Sequence, residues 1–141
     1  MSAERVTVED NPRPEDKAFL NERLYEFNAK VTGVDDGRWL AAFIRDDAGE
    51  IVAGLHGWTW GGTAYVDTLW LRGDLRRKGL GSRLLAAAEE EAVRRGCHVL
   101  QLSTHSYQAP GFYRRLGYEE IGALPGWPAD TTRFFFSKSL A

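Results

Sequence analysis

Eight consecutive residues, Arg76-Arg77-Lys78-Gly79-Leu80-Gly81-Ser82-Arg83, combine cations with glycines in a pattern suited to holding an anion. The run follows an apolar, strand-like segment (Tyr65–Leu71) and opens an apolar-periodic segment beginning near Leu80. A strand, a short glycine turn and a helix start bring several unpaired backbone N–H groups together. With the positive end of the helix dipole they suit phosphate. Gly79 permits a turn that other residues resist, and Gly81 allows close approach to the main chain. Arg76, Arg77, Lys78 and Arg83 add charge and donors, so a diphosphate-bearing cofactor is the natural guest. Gly81-Ser82-Arg83 lacks the Gly-Lys-Ser/Thr ending of a P-loop, and no G-x-G-x-x-G dinucleotide fingerprint is present.

A second group concerns proton transfer. If Gly61-Gly62 is a two-residue hairpin loop, Trp60 faces Thr63, Trp58 faces Tyr65 and His56 faces Asp67. An imidazole opposite a carboxylate could take a proton from a bound group; Asp67 could also act alone, holding a cation, or the two could form a satisfied polar pair. A β-bulge in this strand would reverse the facing. His105 is a second candidate, whereas His98 lies at the opposite strand end and is read as structural. Trp58 and Tyr25 are aromatics suited to contact with a cationic or planar group, or simply to packing. Trp39 and Trp60 are expected to pack across strands, Trp127 sits in a Pro-Gly-Trp-Pro loop, and Glu22 and Glu26 fit the wet face of a helix. The histidines are scattered and no Cys/His cluster has ligand spacing, so no metal is expected.

The elements that must position these groups can be read from periodicity. Arg5–Glu9 alternates as a short strand. Leu20, Leu24, Phe27 and Val31 mark an amphipathic helix that Gly33 can end. Trp39–Arg45, Ile51–Trp60 and Thr63–Leu71 are expected strands, Leu80–Arg95 the longest helix, and Val99–Ser103 a strand parallel to its predecessor. Ala109–Leu116 is a short helix, and Tyr118–Gly122 and Arg133–Lys138 close the sheet. The expectation is an α/β (α+β) single domain over residues 1–141, a mixed sheet of six to seven strands with helices on both faces.

Bulk properties narrow the function. The chain of 141 residues carries 18 Lys and Arg against 20 Asp and Glu, a balance unsuited to wholesale nucleic-acid binding. No signal peptide or membrane-length apolar run is visible, and the lone Cys97 suits a reducing compartment, so a cytoplasmic protein is expected.

Together these features resemble the GNAT superfamily of acetyl-CoA-dependent N-acetyltransferases. Leu69-Trp70-Leu71 followed by Arg76-x-x-Gly79-x-Gly81 is similar to the family's strand and pyrophosphate loop. Ala109-Pro110-Gly111-Phe112-Tyr113-Arg114-Arg115-Leu116-Gly117-Tyr118 is similar to its A-x-x-F-Y-x-x-x-G-F/Y segment, and the element order agrees over nearly the whole chain. The resemblance implies a pantetheine arm between the Tyr65–Leu71 and Val99–Ser103 strands, paired with backbone groups of Leu69 and Leu71 beside Trp70. It implies a pyrophosphate held by Arg76, Arg77, Lys78, Gly79, Leu80, Gly81 and Ser82, with Ala109, Phe112 and Tyr113 at the cofactor's other end. Tyr113 matches a tyrosine that protonates the departing thiolate in many members; packing on the sulfur is the other reading. Ser106 stands where many members carry asparagine, and Tyr65 stands where histone-type members carry a glutamate base. The activity implied is acetyl transfer from acetyl-CoA to a primary amine, a small molecule by preference, by direct attack and with Cys97 as a structural thiol. The alternatives are a protein or peptide N-acetyltransferase and a non-catalytic acyl-CoA-binding module. A homodimer is compatible with the family and with Phe134-Phe135-Phe136 in the last strand.

Overall fold

The computed structural model describes residues 4–140, and the chain falls into two compact units, residues 1–35 and 36–141. The first holds α1 (Pro14–Thr32). Proline stands at its start, Glu15 and Asp16 lie in the first turn and Lys30 in the last, all complementary to the helix dipole. Gly33 closes it at φ 75°, donating its N–H to the Ala29 carbonyl. The expected strand over Arg5–Glu9 is absent, and Val6 and Val8 are exposed. Two alternating valines are too short a signal, because a strand is stabilised by cross-strand partners rather than by its own propensity.

The second unit is a six-stranded sheet in the order β1-β2-β3-β4-β6-β5. Its strands are β1 (Arg38–Arg45), β2 (Ile51–Trp60), β3 (Thr63–Leu71), β4 (Val99–His105), β5 (Glu119–Pro125) and β6 (Thr132–Ser139). Only β3 and β4 run parallel, joined by the crossover helix α2 (Leu80–Arg94), so the sheet is mixed. Gly61 and Gly62, at φ 58° and 79°, make the tight turn between β2 and β3 that places Trp60 opposite Thr63 and Trp58 opposite Tyr65. The hairpin between β1 and β2 is capped by Asp46, whose Oδ1 accepts from the backbone N–H of Ala48 and Glu50.

One face of the sheet carries the core. Leu40, Ala53, Leu55, Ala64, Val66, Leu100, Leu102 and Phe136 pack against Leu84, Leu85, Ala88 and Ala92 of α2. A short helix, α3 (Pro110–Arg115), adds Tyr113 to the same cluster, with Phe112 packed beside it. Each fully buried leucine contributes about 1.5–3 kcal/mol, so this layer holds α2 rigidly over β3 and β4. Arg95 pins the far end of α2, donating from Nη1 to the Trp39 carbonyl and Thr59 Oγ1 and from Nε to Glu91. Among the described residues no helix is long and apolar enough to cross a membrane.

Candidate active site

The sheet opens in its middle. β3 pairs with β4 only over Thr63–Val66 and Val99–Leu102. Beyond that point β3 continues against β2, and β4 continues against β6. The two strands therefore part, leaving the facing backbone groups of residues 68–71 and 103–105 along the gap. Leu69, Trp70 and Leu71 of β3 line one bank.

A bulge sits where the strands part. Gly57 pairs with Val66 and His56 with Thr68, so Asp67 is the extra residue. This corrects the expected register, in which His56 lay directly opposite Asp67. The carboxylate nevertheless reaches the ring, with Asp67 Oδ1 3.6 Å from His56 Nδ1. Both side chains are nearly half exposed (46% and 44%), so the pair adds about 0–1 kcal/mol of stability at most. At that distance the contact is too long for a hydrogen bond, so Asp67 acts on the ring through its charge rather than by fixing it. Gly57 makes the bulge possible, because a Cβ there would lie 1.8 Å from the Tyr65 carbonyl oxygen. Around this pair stand Trp39, its ring 5.4 Å from His56, and Trp58, 5.5 Å from Tyr65.

At the mouth of the gap, α2 begins after Gly79 (φ 77°), and no side chain caps it. Its first internal bond runs from Arg83 N to the Gly79 carbonyl, so the N–H groups of Leu80, Gly81 and Ser82 face outward. Arg77 holds a positive φ of 64°, a costly conformation for a non-glycine residue, in the middle of this turn. Arg76, Arg77 and Lys78 are exposed. A Cβ on Gly81 would lie 3.3 Å from Phe112 Cζ, so the turn and α3 approach as closely as a missing side chain allows. Uncapped donors, glycine-cleared space and exposed cations together fit a pyrophosphate.

Tyr113 lies on α3, buried against Phe112, Tyr118 and Phe136 at ring distances of 5.1, 6.0 and 6.1 Å. Burial pushes its phenol up to about 12, so it stays protonated at neutral pH. Its neighbour Tyr118 is also pushed up, first by burial and then by its hydrogen bond to Glu89. The two differ in commitment. Tyr118 donates to Glu89 Oε2 at 2.8 Å, and Lys138 holds the other oxygen of that carboxylate. Among the described residues, no hydrogen bond engages the Tyr113 hydroxyl.

On the opposite bank, Ser106 Oγ accepts from Thr132 N at 3.1 Å, leaving its own O–H to donate. Ala109 precedes the first turn of α3. His105 ends β4 with Nδ1 3.2 Å from the Trp127 carbonyl and its ring stacked on Tyr107. A carbonyl only accepts, so Nδ1 is the donor in this contact. Beside it in β6 is Arg133, which donates to Ser103 Oγ; sequence reasoning passed over it. The signal was a lone cation opening the apolar run Phe134–Phe136. Tyr25 lies on α1 in the first unit, as do Glu22 and Glu26, and Arg23 there pairs with Glu26. His98 lies at the start of β4 beside Gly62. Cys97 is buried, and burial pushes its thiol up, which opposes a nucleophilic role.

Comparison with known proteins agrees with this architecture. The model of the acetyltransferase (GNAT) family matches residues 4–118. Blasticidin-S acetyltransferase of Streptomyces morookaense is 39% identical over 104 residues, covering 71% of this chain and 74% of that protein. An acetyltransferase of Agrobacterium fabrum is 36% identical over 105 residues, covering 74% and 77%. A solved protein of Agrobacterium tumefaciens superposes with TM-score 0.86 at 30% identity, covering 96% of this chain and 99% of its own. An acetyltransferase structure from Bacillus cereus gives 0.78 at 26% identity, covering 95% and 98%.

Proposed function

Because the chain belongs to the acetyltransferase (GNAT) family and is an acyltransferase, we propose that it moves the acetyl group of acetyl-CoA to a primary amine of a small molecule. The observation that carries this reading is the gap between β3 and β4, with uncapped N–H donors at its mouth and Asp67 and His56 on its bank. A relative named for acetylating blasticidin-S supports a small-molecule acceptor.

Acetyl-CoA supplies a thioester: the amine nitrogen forms a bond to its carbonyl carbon, and the carbon–sulfur bond breaks. The amine must lose a proton and the leaving sulfur gains one. The His56 ring takes the first, directly or through water, while the nearby Asp67 carboxylate stabilises the imidazolium that forms and attracts the cationic acceptor. The Tyr113 phenol supplies the second, since burial keeps it protonated and its hydroxyl is uncommitted. Gly79, Leu80, Gly81 and Ser82 hold the pyrophosphate through backbone N–H groups, with Arg76, Arg77 and Lys78 adding charge. Leu69 and Leu71 offer main-chain groups to the amide arm beside Trp70, and Ser106, Ala109 and Phe112 bound its other side. Trp58 gives the acceptor an aromatic wall. The reaction belongs in the cytoplasm, where a lone reduced thiol is at home.

A thiol-release assay with acetyl-CoA and a broad amine panel tests the reading. Turnover that falls sharply in Asp67→Ala and Tyr113→Phe, with CoA binding retained, is the expected result. Tight CoA binding with no turnover of any amine by the wild type would overturn it.

A further inference from the structure

Arg133 is a half-buried cation with an incomplete set of partners. Its Nε and Nη2 both donate to one neutral oxygen, Ser103 Oγ, at 3.2 and 3.0 Å. A guanidinium carries five N–H donors arranged as a fork that matches a carboxylate. Among the described residues no carboxylate lies within ion-pair distance of it. Its position is nonetheless held, with the guanidinium 4.9 Å from the centre of the Phe135 ring and 6.0 Å from that of Trp127. A charge drawn partly out of water calls for an opposite charge.

Its place in the sheet says whose charge that is. Leu102 and Thr104 are buried toward the core, so Ser103 and His105 point to the other face, where Arg133 pairs with His105. His56 shares that face, since its neighbours Leu55 and Gly57 are buried. The gap therefore has His56 and Asp67 on one bank, and His105 and Arg133 on the other.

We infer that Arg133 anchors a carboxylate of the acceptor, so that the substrate class is an amine that also carries an acid. This rests on the acetyl-transfer reading above. Asp67 on β3 and Arg133 on β6 are two strand spacings apart, roughly 10 Å across the strands, and Arg133 lies about two residues further along. Amine and acid are then separated by several bonds, as in an ω-amino acid. His105 ends β4 on the same bank, with Nδ1 turned to the Trp127 carbonyl.

The test pairs amines with their carboxylated counterparts, 6-aminohexanoate with hexylamine among them, and compares kcat/KM in wild type, Arg133→Gln and Arg133→Lys. The wild type is expected to prefer the acid-bearing partner by about tenfold or more, the scale of a charge-assisted hydrogen bond. Arg133→Gln should erase that preference through KM while leaving hexylamine unchanged, and Arg133→Lys should restore part of it. Because each variant is compared with itself on two substrates, partial unfolding cancels from the ratio. A preference unchanged in Arg133→Gln, or a wild type that acetylates only amines lacking an acid, overturns the inference alone. A wild type that acetylates no amine overturns the acetyl-transfer reading beneath it.

Discussion

At the Gly79–Ser82 turn the donors are main-chain N–H groups, and glycines clear the space for a ligand. On the face bearing His56, Asp67, His105 and Arg133 the donors and acceptors are side chains from four different strands. The first arrangement is indifferent to most substitutions, because a backbone amide is the same whatever side chain it bears. It is sensitive only where a Cβ or a dihedral intrudes. The second arrangement is the reverse, since each contact belongs to one residue type. A fixed diphosphate ligand suits the first, and an acceptor that differs from relative to relative suits the second.

Gly57 gives the sharpest break between the two regions. Its Cβ would meet the Tyr65 backbone, which cannot swing aside as a side chain can, so Gly57→Ala should cost about 3 kcal/mol. Gly79→Ala meets nothing within 4 Å and strains only its φ of 77°, so about 1 kcal/mol is expected. Urea titration of both variants measures the difference. Equal costs would mean that the bulge relaxes and that Asp67 is not held by close packing. Next in size, Asp67→Ala should lower kcat by about a hundredfold, the scale of general acid–base assistance, with the affinity for CoA unchanged. Parallel loss of CoA affinity would place the carboxylate on the cofactor side instead.

The same contrast explains what the sequence made legible. The anion cradle lies within eight consecutive residues, so its chemistry and its geometry are local. β2 and β3 were readable as strands over their full lengths, and Gly61-Gly62 sets their register from Trp60 and Thr63 as far as Gly57 and Val66. His56 and Asp67 were recognisable as partners, but their register was not, because the bulge depends on the tight approach of Gly57 to Tyr65. Arg133 stayed hidden for a similar reason: its meaning depends on Ser103, thirty positions away, and on the carboxylates it fails to meet. The Arg5–Glu9 segment misled in the other direction, since its alternation is local but a strand is not.

Gly81→Val probes the cradle alone. Its Cβ would sit 3.3 Å from Phe112 Cζ and crowd the approach to the uncapped amides, so KM for acetyl-CoA should rise about tenfold, roughly 1.4 kcal/mol of lost binding. The preference between acceptors should stay as it was. A changed acceptor preference would mean that the two regions are coupled through α3 rather than separable.

The smallest expected effect lies between the regions, at Tyr113. Its phenol ionises at about 12 in the native state against 10.0 ordinarily, because burial disfavours the anion. Below pH 10 both native and unfolded chains hold this proton, and the contribution to stability is fully present. Between pH 10 and pH 12 the unfolded chain releases it while the native state does not, so stability falls as pH rises. Tyr118, raised in the same direction, adds to that slope. Urea midpoints measured from pH 9 to pH 11 should therefore decline in the wild type and decline less steeply in Tyr113→Phe, which has no proton to lose. In the same range the phenol remains protonated, so Tyr113 itself should impose no alkaline loss on kcat before the fold begins to weaken. Identical slopes in the two proteins would mean that the ring opens to water in solution, leaving it a poor candidate for a buried proton donor.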